Sequence, residues 1–143
     1  MAKTATVKNS SRPVTVARNV LIVLGVIDLV RGIMHTFVLN WAAENIARIA
    51  PHPDALMLLG VFGNSNLLTG ALYLLVALKA REIAGYILGI IPVAYLVGVV
   101  GIRLNGVSMQ SEFNGKYMML VYFVVCIVTF VYFIAARRRE IER

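Results

Sequence analysis

VIDLVRGIMHTF, residues 26–37, decides how this chain is read. It lies in an apolar run, residues 19–39, long enough to cross a bilayer, since about 20 helical residues span a hydrocarbon core of ~30 Å. Yet it carries Asp28, Arg31 and His35. Their spacing of i, i+3 and i+7 puts all three on one face of a helix. Asp28 follows Arg18 by roughly ten residues, or ~15 Å along a helix axis, which places it near mid-depth. His35 falls near the outer third.

Energetics restrict where that face can point. An Asp or Arg at the centre of a membrane helix costs about 2.5–3.5 kcal/mol, and about a dozen Val, Ile, Leu and Phe side chains return roughly 5 kcal/mol. The helix is near break-even alone, so the stripe must face protein rather than lipid. Three roles suit it. One is an internal Asp28–Arg31 ion pair that fixes helix orientation. Another is a contact with a second subunit. The third is a working site, whether proton relay, quinone or headgroup binding, or a metal ligand at His35.

Working outward, the whole chain follows the same logic. It has 143 residues, of which 59% are hydrophobic and only 15% charged. A soluble domain of this length could not hide that much apolar surface. Three further apolar runs follow the first, at residues 55–78, 83–104 and 117–136, and lipid-embedded backbone must satisfy its hydrogen bonds within each segment, so all four are helices. The expected fold is an all-α membrane protein, a bundle of four transmembrane helices spanning residues 19–136. A basic tail flanks it at each end, residues 1–18 and 137–143.

The net charge of +7 does not point to nucleic acid, because the cations sit at the ends of apolar runs and no nucleic-acid motif occurs. Ten Lys and Arg fall on the side of the termini and the 79–82 connection, against Arg48, Arg103 and Lys116 on the other. The positive-inside rule then predicts a multi-pass protein of the cell membrane with both termini cytoplasmic. Arg137, Arg138 and Arg139 are placed to meet anionic lipid headgroups.

The connections differ. KARE, residues 79–82, is short enough to make the second and third spans an antiparallel hairpin. In NWAAENIARIAPHPD, residues 40–54, Ala42, Ile46 and Ile49 recur at helical spacing, with Glu44, Asn45 and Arg48 facing elsewhere and Trp41 suited to the interface. This predicts a short amphipathic helix on the outer surface, ended at Pro51. LNGVSMQSEFNG, residues 104–115, has two Asn-Gly turn signals and reads as a compact loop.

Polar and small residues mark the other spans. Asn64, Ser65, Asn66 and Thr69 lie at mid-depth in the second, and Asn64 or Asn66 is a natural partner for Asp28 or Arg31. Gly60, Gly63 and Gly70, then Gly85 and Gly89 in the third, are the small residues that let membrane helices approach closely. Pro92 is expected to kink the third span beside Tyr95. The single cysteine, Cys126, reads as a small buried hydrophobe. As metal ligands, His35, His52 and Asp54 match no zinc or copper spacing. No motif calls for a cofactor, and no catalytic constellation is visible. The favoured function is a non-catalytic accessory subunit of a larger membrane complex of the respiratory or membrane oxidase or monooxygenase type, partnered by other membrane subunits. The alternative is a self-sufficient small transporter or membrane enzyme that uses Asp28, Arg31 and His35.

Overall fold

The computed structural model describes residues 11–106 and 115–141. Among these, helix accounts for 92% and no strand occurs. Helix α1 spans Arg12–Phe37, and a short α2, Leu39–Trp41, runs on into a single π-helical segment, Ala42–Ala47. Helix α3 spans Pro53–Lys79, α4 spans Ala84–Leu104 after a 3-10 turn at Arg81–Ile83, and α5 spans Gly115–Ile141. Four helices are long and apolar enough to cross a membrane, from 24 to 27 residues each. Four such helices are what a multi-pass membrane protein needs.

The outermost helices outrun the apolar stretches that announce them. α1 begins at Arg12 rather than at residue 19, because Val14, Ala17 and Leu21 continue its buried stripe and are fully enclosed. Pro13 in the first turn suits a helix start, where its missing N–H is no loss. α5 continues through the arginine run to Ile141, and Arg137 is held there by Glu82 of the α3–α4 turn at 2.9 Å. The expected basic tails are thus partly helical; residues 1–10 and 142–143 lie outside the described residues.

The helices form two antiparallel pairs. α1 packs chiefly on α3 and α4 on α5, while α1 also touches α4 and α5. The first pair meets where side chains vanish. A Cβ on Gly70 would stand 2.7 Å from the Gly25 carbonyl oxygen, and one on Gly63 would stand 2.8 Å from the His35 carbonyl carbon, so neither position admits a side chain as packed. In the second pair Phe133 fills the space over Gly85 and Phe130 that over Gly89. Gly60 is different, with Leu39 at an ordinary 3.7 Å from its Cβ position.

One core joins the pairs near the end that carries the arginine-rich terminus, called here the basic end. Leu21, Leu24, Ala77, Leu88, Cys126 and Phe133 are among its members. Burial along α4 thins at Pro92: Ala84, Gly85, Leu88 and Ile91 are buried before it, whereas beyond it Val93, Leu96 and Val97 are exposed while Tyr95 still packs on the core. An apolar groove of about 450 Å³ opens there between α4 and α5, lined by Gly89, Pro92, Leu96, Phe123, Ile127 and Phe130. At the opposite, loop end, Ala42 and Ala43 are buried against Leu59 of α3, and the π-helical segment stops at Arg48, whose φ is 52°. Glu44, Asn45 and Arg48 are exposed. Asn105-Gly106 ends α4 with a turn, Gly106 at φ 70° and the Asn105 amide donating to the Gly101 carbonyl at 2.8 Å. The rest of that connection, residues 107–114, lies outside the described residues.

Candidate functional site

The polar stripe of α1 points into the protein. Asp28 lies on the buried face with Leu21, Leu24, Gly25, Gly32 and His35, a run of i, i+3 and i+4 steps. Asp28 and His35 are each 5% exposed, and the Arg31 side chain is 12% exposed. These charges therefore face protein, as their desolvation cost in hydrocarbon demands.

Both carboxylate oxygens of Asp28 are engaged within the chain. The Tyr122 hydroxyl of α5 donates to Oδ2 at 2.9 Å. Arg31 Nη1 approaches Oδ1 at 3.4 Å, a long contact and the weaker of the two. Tyr122 is itself buried, so this hydroxyl–carboxylate bond lies inside the protein. Tyr73 of α3 and Tyr95 of α4 are half-buried and pack against the core to which Tyr122 belongs. The core around the Asp28–Tyr122 bond thus receives hydroxyl-bearing side chains from α3, α4 and α5. Cys126, one turn beyond Tyr122, is fully buried and unpaired with any other cysteine.

Toward the loop end the stripe continues between α1 and α3. The Arg31 guanidinium stands 5.6 Å from the Phe62 ring centroid, and the His35 ring is 5.8 Å from the same ring at 30°. Asn66, one turn along α3 from Phe62, is 4% exposed. Asn64 points outward and is exposed. The two asparagines, interchangeable in the sequence, thus part company. Neither has a hydrogen bond to Asp28 among the described residues; Tyr122 and Arg31 hold that carboxylate instead. Ser65 and Thr69 turn their hydroxyls back onto the carbonyls of Val61 and Ser65 in their own helix, at 3.2 and 2.8 Å.

His52 and Asp54 sit apart from this site. They lie at the start of α3, 3.9 Å from each other and with side chains 72% and 89% exposed. Asp54 in the first turn complements the positive helix terminus, which accounts for its place. Among the described residues no three His, Cys, Asp or Glu side chains gather into a group that could hold a metal, so His35, His52 and Asp54 are not brought together.

Tyr122 is the residue that sequence reasoning passed over. Its signal was one tyrosine among the aromatics of the fourth span, and nothing local ties it to a carboxylate far upstream. No family model matches this chain, and neither does any curated protein or solved structure.

Proposed function

We propose that this chain is a self-sufficient small transporter or membrane enzyme that handles a small molecule at the Asp28–Arg31–His35 site. The observation that carries the reading is the setting of Asp28: a buried carboxylate bonded to Tyr122, with Arg31 beside it and His35 buried on the same face. Burying such groups is expensive, and ionisable residues within spans mark pathways or binding sites as a rule. The positional asymmetry is consistent with access from one side. Leu21 and Leu24 close the stripe toward the basic end, whereas Arg31 and His35 lead toward the loop end. By charge distribution the basic end is cytoplasmic and the protein sits in the cell membrane, with exposed Arg138 and Arg139 at anionic headgroups.

The test compares cells expressing the parent chain with cells expressing Asp28→Asn or His35→Ala at equal membrane levels. Mass spectrometry of cellular and medium small molecules is the readout. The parent should change the level of at least one compound, and both variants should lose that change. Variants that reproduce the parent's profile would end this reading.

A second reading is an accessory subunit of a larger membrane complex. Its specific support is Asn64, a polar amide exposed on the outer face of α3, together with the outer half of α4, where Gly98 and Gly101 have nothing near their Cβ positions. Such a surface suits contact with other membrane subunits. Extraction in mild detergent should then co-purify partner chains in fixed ratio, and recovery of this chain alone would rule the reading out.

A further inference from the structure

We propose that the seam between α1 and α3, on the loop-end side of Asp28, binds a neutral, lipid-soluble molecule through a carbonyl oxygen. The proposal rests on the reading of the stripe as a working site and names the class of molecule it takes. Its starting point is a set of unmet hydrogen bonds. Arg31 Nε, His35 Nδ1 and Asn66 Nδ2 are all buried and have no partner. His35 and Asn66 are more than nine-tenths buried as whole residues. Arg31 and His35 both lie against the Phe62 ring, and Asn66 follows Phe62 by one turn on the same face of α3.

A buried, unmet donor is costly, so three of them along one helix seam call for a ligand that meets them. Arg Nε and Asn Nδ2 are obligate donors, and the imidazole nitrogen donates in one tautomer. The missing partner must therefore bring acceptors. Charge narrows the class further. The Arg31 guanidinium already faces the Asp28 carboxylate at 3.4 Å, so the pair carries no net charge and an anion would meet that carboxylate as well. A neutral carbonyl takes up the free donors without this repulsion. The route of entry favours solubility in lipid. Phe62, against which Arg31 and His35 lie, is 38% exposed on the outside of the bundle.

The full chain in lipid nanodiscs is the material for the test. The probe is a tritiated benzoquinone with a short isoprenoid tail, and the control is an aromatic hydrocarbon with the same tail and no carbonyl. The quinone should bind saturably, and the hydrocarbon should fail to displace it. Asn66→Leu and His35→Leu should each weaken binding roughly five- to tenfold, the loss of one hydrogen bond. Should either variant fail to fold, the competition on the parent chain decides alone. The proposal is overturned if the quinone and the hydrocarbon partition alike, or if folded variants bind as the parent does; occupancy by water only gives that same result. An Asp28-dependent metabolite change without quinone binding would remove this inference and leave the function reading standing. Quinone binding through Asn66 and His35 without any Asp28-dependent activity would do the reverse.

Discussion

Asp28 owes its place to two neighbours of different strength. The Tyr122 bond at 2.9 Å is buried and charge-assisted, while the Arg31 contact at 3.4 Å is long. Tyr122→Phe removes the first and should lower the unfolding free energy by about 1 kcal/mol, within the range found for buried hydrogen bonds and for bonds between membrane helices. A double-mutant cycle with Asp28→Asn, read by unfolding in mixed SDS micelles, should give a coupling of about 0.5–2 kcal/mol. Asp28→Leu should cost more, about 3–5 kcal/mol, because it leaves the Arg31 guanidinium buried without its counter-charge. The face that Asp28 occupies was legible in the sequence, because helical periodicity alone puts Asp28, Arg31 and His35 on one side. Its partner was not. Tyr122 lies 94 residues away, and a contact of that separation is made by packing, which leaves no local trace.

Between elements, the packing is set by small residues whose importance depends on what faces them. Gly70 and Gly85 have no room for a side chain, whereas Gly98 and Gly101 have nothing within 4 Å. Gly70→Leu or Gly85→Leu should therefore destabilise the monomer by about 1–3 kcal/mol, the usual cost of overpacking. Gly98→Leu should leave the unfolding midpoint of the isolated chain unchanged. Equal effects at all three positions would mean that the helix pairing is different. In the sequence all of these glycines look alike, and Gly25 and Gly32 of α1 did not stand out at all, since a glycine's worth depends on the other helix. The asparagines make the same point. Asn64 and Asn66 are two residues apart and so roughly 200° apart around a helix, which means that only one of them can face α1. Periodicity shows that they diverge; only the packed pair shows that Asn66 turns inward.

At the level of the whole molecule, two pairs of helices share one core near the basic end and carry large apolar side chains outward along their length. A soluble protein would not tolerate such a surface, and lipid requires it. The four spans could be read from length and composition, while the early start of α1 could not, because residues 12–18 mix Arg12 and Arg18 with the core positions Val14 and Ala17. Cys126 offers a simple check on the core. It is the single cysteine and is fully buried, so a water-soluble maleimide should leave it unmodified in lipid and label it fully in hot SDS. Labelling in intact membranes would mean that water reaches Cys126 and that this core is open.

α1 turns its charged stripe to the centre of the protein, where Asp28 meets Tyr122 of α5. Solid-state NMR on the full chain in deuterated lipid, with ¹³C-labelled aspartate and tyrosine, tests this most directly. The Asp28 carboxyl carbon should show a short-range cross-peak to the Tyr122 ring carbon that bears the hydroxyl, and Tyr122→Phe should shift the Asp28 carboxyl resonance. Absence of that cross-peak in a folded sample, with the Asp28 carboxyl close to lipid acyl chains or to water instead, would contradict the account.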